Sequence, residues 1–236
     1  MIFVGIDDTD MPETAGTNQL ARALVALVAD RFRCGRIVRH QLLDDPRVPY
    51  TSKNGSASIL LEPRGEFSGE LTDLISALRA RMLDWYVPGS DPGLCVTTNV
   101  PPALTAFGQR CQRELVTRDE AERLAKQHGL HLEGLGGTCG GMIGALAAVG
   151  LAATGDDGRV VVHGEWPDDL SGRQPVEALM DRGVAVQCFG TGDLVREGHV
   201  DIGKHLRPNL REGRIVQFVT SVKTPGGLEW QAVRLS

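Results

Sequence analysis

Residues 4–22 read VGIDDTDMPETAGTNQLAR, and the reading of this stretch decides the rest. A short apolar run, MIFVGI from the first residue, has the length and composition of a buried strand. It ends in three carboxylates, Asp7, Asp8 and Asp10. From Thr17 onward apolar residues return at helical spacing. Leu20, Leu24, Leu27 and Val28 share one face, and Ala21, Val25 and Phe32 widen it. The stretch is therefore a strand, an acidic loop and a helix. Like charges crowded at a strand end repel one another unless water screens them or a cation sits among them. Two readings stay open on these residues. In one, Asp7, Asp8 and Asp10 hold Mg2+, and the free amides at Gly16 and Thr17 face a polyphosphate. In the other, the loop is an Asp-rich turn with Thr14 or Thr17 as an ordinary N-cap.

Working outward, GRIVRHQLL and ASILLEP read as the next strands. RFRCGRIVRH reads as a helix end with basic residues, followed by the entrance of an edge strand. Leu71, Leu74, Ile75, Leu78 and Met82 carry helical spacing, and GLCVTTNV is a strand closed by Pro101 and Pro102. In TRDEAERLAKQHG, Thr117 is an N-cap, Glu120 completes a capping box and Gly129 is the stop. GGTCGGMIGALAAVGLAATG passes from a glycine loop into a small-residue helix. After TGDDG the pattern turns to shorter strands: RVVVHGEW, GVAVQCF, RIVQFVT and LEWQAVRL. The expected fold class is α/β (α+β): a mixed sheet with flanking helices over residues 1–155, and a smaller strand-rich part over 156–236.

The chain has 236 residues and a formal net charge of −5, which disfavours broad electrostatic binding to nucleic acid. Its cysteines, Cys34, Cys95, Cys111, Cys139 and Cys188, form no CxxC pair, so neither a zinc ribbon nor a disulfide framework is expected. No apolar run is long enough to span a bilayer, and the start has no signal-peptide pattern. A cytoplasmic protein with no membrane partner is the expectation.

Other stretches carry weaker signals. In DDPRVPYTSKNGSAS, Lys53 stands beside the tight turn Asn54-Gly55, where a cation suits a phosphate, although a loop-and-hairpin connection explains the same residues. Asp91 precedes Pro92-Gly93 and reads as a turn residue. Gly136, Gly137, Gly140, Gly141 and Gly144 let the backbone approach another group closely, either a phosphate or a packed neighbour. His128 and His131 flank Gly129 and read as surface residues. There is no P-loop, no dinucleotide fingerprint, and no haloacid-dehalogenase motif, since Pro12 stands where that motif needs Thr or Val.

Taken in order, GIDDTD, the threonine after a glycine at the next helix, RHQLLDDPRVPYTSKNGSASI and GGMIGALAAVG resemble the archaeal tRNA-isoleucine agmatidine synthetases, the TiaS family. The resemblance runs over roughly residues 1–153. It implies an unusual kinase-like domain that binds ATP with Mg2+. It implies activation of the O2 of a tRNA wobble cytidine as a phosphoryl intermediate, displacement by agmatine, and release of AMP and pyrophosphate. By motif match, Asp7, Asp8 and Asp10 are metal carboxylates, Thr17 lies near the phosphates, and Lys53, Asn54 and Gly55 fall on a basic segment. Asp8, Asp10 and Thr17 are the expected catalytic residues. Gly16, Thr17, Lys53, Asn54, Gly55, Gly140 and Gly141 are the expected nucleotide contacts. The chain departs from the family by carrying Thr-Ser-Lys-Asn-Gly where the family has Lys-Thr-Arg-Gly-Asn-Gly, and neither the family's zinc ribbon nor its OB-fold is expected in these residues. Its C-terminal part is expected to be a reduced form of the family's ferredoxin-like domain. The ATP and Mg2+ half of the chemistry transfers better than the acceptor half. The acceptor is a small molecule or nucleoside, or a tRNA held with a partner chain. Two alternatives remain: a non-catalytic nucleotide-sensing or RNA-associated module, and a metal-dependent phosphohydrolase.

Overall fold

A computed structural model of the chain describes residues 1–11, 13–48, 54–65, 71–164, 166, 168–224 and 227–235. The opening apolar run is strand β1 (Ile2–Asp7), and the helix after the acidic loop is α1 (Thr17–Leu27). They are followed by β2 (Phe32–Gln41), β3 (Gly55–Pro63), α2 (Leu71–Asp84), β4 (Gly93–Thr97), α3 (Pro102–Cys111), α4 (Arg118–His128), β5 (His131–Gly134) and α5 (Gly141–Thr154). Then come β6 (Arg159–His163), β7 (Arg173–Pro175), α6 (Val176–Met180), β8 (Val184–Cys188), β9 (His199–Asp201), β10 (Asn209–Arg211), β11 (Arg214–Thr224) and β12 (Gly227–Ala232).

The strands join one 12-stranded sheet, in the order β5-β4-β1-β3-β2-β6-β10-β11-β12-β9-β7, with β8 also paired to β11. It is a mixed sheet. β8 runs parallel to β11 and β9 parallel to β12, and the other pairs are antiparallel. The sheet is continuous through residues 155–158, because β6 pairs with β2 on one side and β10 on the other. Among the described residues no helix is long and apolar enough to cross a membrane.

Alternation along β1 sends its side chains to two helical layers. Ile2, Val4 and Ile6 pack with Leu20, Leu24, Leu74, Leu78 and Met82 of α1 and α2. Phe3 turns to the other face, where α3, α4 and α5 supply Leu104, Phe107, Ala121, Leu146 and Val149. Gly5 is bare because α5 lies directly on it: a Cβ there would stand 1.9 Å from the Ala145 carbonyl oxygen. A third apolar cluster, including Val160, Leu179, Val186, Leu210 and Ile215, fills the C-terminal part and borrows Val38 from β2.

Several local readings hold. α4 starts at Thr117 with both halves of the capping box formed and ends at Gly129 in the left-handed conformation. α2 buries Leu74, Leu78 and Met82. Others are corrected. RFRCGRIVRH is neither a helix end nor an edge strand: from Phe32 it is β2, an inner strand between β3 and β6. Gly35 absorbs a register shift against β3, which the basic composition concealed. Phe32 therefore belongs to β2, and Leu27 is 45% exposed rather than on the buried face of α1. Pro101 and Pro102 do more than close a strand. They open α3, where a proline at the first helical position costs no hydrogen bond.

Candidate active site

β1 ends beside the start of β4, and that adjacency makes the site. Their antiparallel register sets Asp7 opposite Gly93, and the Asp91 N–H donates to the Asp8 carbonyl at 3.0 Å. Asp8 has φ 49°, a left-handed conformation that Asp tolerates better than most residues but that still stores strain. Asp7, Asp8, Asp10 and Asp91 all line one cleft of about 170 Å³. The same cleft is also lined by apolar side chains, Leu42, Val48, Leu115, Val116 and Ile143.

Burial raises the Asp7 carboxyl to about 7, and repulsion from Asp8 and Asp10 adds to the effect against a hydrogen bond from the Asp8 backbone and the charge of Arg39. Burial likewise raises Asp8 to about 6, with repulsion from Asp91 and Asp10. A positive group among these carboxylates lowers both values and is attracted in return. Asp10 is held in place. Thr9 donates to the Thr17 hydroxyl at 3.1 Å, and Thr17 donates to Asp10 Oδ1 at 3.0 Å. The Thr17 side chain therefore positions a carboxylate and does not cap α1. Gly16 is the N-cap residue, and the helix has no side-chain cap.

The two helix starts at the cleft differ. At α5 the amides are engaged: Gly141 donates to the Asp91 carbonyl, Met142 to Cys139 and Ile143 to Gly140. Its glycines serve close packing. A Cβ on Gly141 would meet the Asp91 carbonyl oxygen at 2.1 Å, and one on Gly144 would meet Asp7 Oδ2 at 1.7 Å. Gly140 and Gly141 do line the cleft. The start of α1 is the end better suited to an anion.

Among the other expected contacts, Asn54 and Gly55 line the cleft. Asn54 also locks the hairpin, since its Nδ2 donates to the Leu43 carbonyl at 2.7 Å. Lys53 lies outside the described residues. Two functional candidates had no clear signal in the sequence. Asp91 looked like a turn residue. Its Oδ2 accepts from the Thr138 hydroxyl, while its buried Oδ1 has no hydrogen-bond partner among the described residues. Arg39, hidden in the basic stretch, lays its guanidinium against Gly55: a Cβ on that glycine would stand 2.3 Å from an Arg39 nitrogen. Asp7 and Asp10 attract it. Among the described residues no group of three or more His, Cys, Asp or Glu is arranged to hold a metal ion by itself.

No family model matches the chain. In sequence it is 30% identical over 153 residues to the tRNA(Ile2) 2-agmatinylcytidine synthetase TiaS of Pyrococcus horikoshii, a match that takes in 64% of this chain and 35% of that protein. The matched part is TiaS-like. In structure it resembles a tRNA fluorescent labeling enzyme, with a TM-score of 0.55 and 25% identity over 63% of this chain and 35% of that one. Its fold is also that of the TiaS-tRNA(Ile2)-ATP complex, with a TM-score of 0.56 and 24% identity over 63% of this chain and 36% of that one. The chain thus spans about a third of the length of the relatives it matches. The motifs that carry the TiaS likeness are those around the cleft: the end of β1, the start of α1, the β2–β3 connection and the start of α5.

Proposed function

We propose that the cleft binds ATP with Mg2+ and activates an oxygen of a nucleoside, tRNA or small molecule by phosphoryl transfer, followed by ligation of an amine such as agmatine. One observation carries the reading: Asp7, Asp8, Asp10 and Asp91 line the same cleft as the apolar side chains Leu42, Val48, Leu115 and Val116. A nucleotide has the matching halves, a flat apolar base and a polyphosphate. The base lies against Leu42, Val48, Leu115 and Val116, and the phosphates lie toward the start of α1.

The carboxylates suit Mg2+ in particular. That ion is held by one or two carboxylates together with substrate phosphates and water, not by a full protein cage. Asp8 and Asp10 would hold the ion, with Asp7 and Asp91 lining the same cleft beside them. Mg2+ held by these carboxylates would supply charge neutralisation for phosphoryl transfer. The chain's own residues do the positioning. Thr17 orients Asp10, and the left-handed turn at Asp8, tied to Asp91, aims Asp8 into the cleft. Gly16, Asn54, Gly55 and Gly140 shape the walls, and Lys53, outside the described residues, is the cation that the sequence offers next to Asn54. Residues 1–155 form the ATP- and Mg2+-binding unit and residues 156–236 a second unit on the same sheet, in a cytoplasmic protein. The sequence and fold likeness to TiaS supports the acceptor and amine classes.

The test is incubation of purified protein with radiolabelled ATP and Mg2+, with and without agmatine and bulk tRNA, and separation of the nucleotide products. ATP turnover that depends on both additions and is lost in Asp8→Asn is the expected result, with the activated oxygen leaving as phosphate while the amine takes its place. ADP formed without the amine, together with a stable phosphorylated product, would indicate a kinase acting on a hydroxyl. ATP binding with no turnover would indicate a sensing module. Phosphate release from a simple ester without ATP would indicate a phosphohydrolase.

A further inference from the structure

A second charged group adjoins the cleft, opposite in sign. Arg39 on β2 and Arg159 on β6 are direct register partners in an antiparallel pair, so both side chains leave the same face of the sheet. The Val160 N–H donates to the Pro208 carbonyl at 2.8 Å, and Asn209 pairs with Arg159, which brings Arg207 alongside. Arg234 arrives from the end of β12. The Val233 N–H donates to the Phe218 carbonyl at 2.8 Å, and the Arg234 guanidinium stands 3.1 Å from where a Cβ on Gly203 would lie. Burial lowers Arg159 to about 10, and repulsion from Arg207, Arg39 and Arg234 adds to it. Burial lowers Arg39 as well. Arg159 remains cationic at neutral pH.

This arrangement opposes stability. Like charges directly across an antiparallel ladder repel. Among the described residues, Arg39, Arg159, Arg207 and Arg234 have no carboxylate within salt-bridge distance, whereas Arg22, Arg33, Arg173 and Arg182 each have one. The protein as a whole carries a net charge of −5, so the patch is a local exception. Asp7 and Asp10 attract Arg39 from the cleft side, but none of the four arginines is ion-paired among the described residues, and planar guanidinium groups gathered in this way fit a multidentate oxyanion such as phosphate. The patch is contiguous with the cleft through Arg39, whose guanidinium covers the cleft-lining Gly55. The residues it adds, Arg159, Arg207 and Arg234, come from beyond the motifs that carry the TiaS likeness.

We propose that Arg39, Arg159, Arg207 and Arg234 form an anion subsite beside the cleft that takes a phosphate group of a nucleotide or polynucleotide substrate. The position favours the acceptor's phosphate as the source, because ATP's own phosphates lie at the start of α1. That attribution of source rests on the ATP reading above, while anion binding itself does not. The acceptor is thereby an anionic, phosphorylated molecule, and an unphosphorylated nucleoside is a poor substrate.

The experiment is a titration of the full chain with inorganic phosphate, read by calorimetry and by thermal melting, with sodium chloride at equal ionic strength as the control. Phosphate is expected to bind and to raise Tm where chloride does not, because a ligand of the folded state stabilises it. Arg207→Gln and Arg234→Gln, at the more accessible positions, are expected to weaken phosphate at least tenfold. Arg159→Gln is expected to lose phosphate stabilisation while melting higher than wild type in chloride, since a repelling charge is gone. Chloride matching phosphate, or Arg207→Gln and Arg234→Gln both binding as wild type does, overturns the subsite. Repeating the titration with saturating β,γ-methylene ATP and Mg2+ separates the sources. Additive stabilisation supports the acceptor's phosphate, and competition overturns that source in favour of the nucleotide's phosphates. If the ATP analogue itself fails to bind, the ATP reading falls while the phosphate result stands.

Discussion

The packing of α5 on β1 can be tested where it meets the cleft. A Cβ on Gly144 would lie 1.7 Å from Asp7 Oδ2, 2.4 Å from Cγ and 3.0 Å from Cβ, where ordinary contact begins at 3.4 Å. Shifting the oxygen alone does not relieve the clash, because Cγ is also too close, so the Asp7 side chain must swing away or α5 must lift. Overpacking of this kind costs roughly 1–3 kcal/mol. Against it, alanine is favoured over glycine in a helix interior by about 1 kcal/mol. Gly144→Ala is therefore expected to destabilise the protein by about 1 kcal/mol, within a range of roughly 0–2. In an Asp7→Ala background the oxygens and Cγ are gone and only the contact at 3.0 Å remains, which a shift of a few tenths of an ångström relieves. There Gly144→Ala is expected to be neutral or to stabilise by up to about 1 kcal/mol. Urea unfolding of the four proteins in the cycle measures the difference, expected at about 1–3 kcal/mol of coupling. If Gly144→Ala has the same effect in both backgrounds within about 0.5 kcal/mol, Asp7 does not lie against Gly144 and this account of the cleft is wrong.

Other outcomes follow from the same geometry. Burial pushes the Asp157 carboxyl up, but bonds from His40 at 2.6 Å and Gln112 at 2.9 Å, with the charge of Arg211, outweigh it and hold the group below its usual value. A carboxyl lowered on folding stabilises fully above the unfolded value of about 4, and that stabilisation is lost as pH falls through the folded value. Asp157→Ala is thus expected to cost about 1.5–3 kcal/mol at pH 7 and less at pH 3. Urea midpoints at the two pH values measure this, and a gap that widens in acid contradicts it. Val116→Asp among the apolar residues lining the cleft is expected to weaken ATP about tenfold, roughly 1.4 kcal/mol, with Tm little changed. Unaltered ATP affinity in calorimetry would remove the base from those residues. Thr117→Ala breaks the capping box of α4 one residue past the cleft-lining Val116 without removing a lining side chain. It is expected to cost about 1 kcal/mol of stability and leave ATP affinity as it was, and a loss of ATP binding in that variant would show that the two regions are coupled.

What the sequence determined by itself is local. The apolar run of β1, the spacing of Leu74, Leu78 and Met82, and the capping signals at Thr117, Glu120 and Gly129 each act within a few residues, so pattern and propensity are enough to read them. The acidic loop was legible for the same reason, as was the family likeness its motif carries. The tertiary structure decided everything that depends on strand order. Asp91 lies more than eighty residues from Asp8 in the sequence and reaches it only because β4 pairs with β1. The arginine patch exists only because β6 pairs with β2 in a register that opposes Arg39 and Arg159. The glycines of α5 left two meanings open, phosphate cradle or packing. The approach of α5 to β1 and β4 decides for packing, because backbone atoms and the Asp7 carboxylate fill the space where side chains would be. Strand order and register come from the summed burial of many distant residues, and no short window of sequence contains that sum.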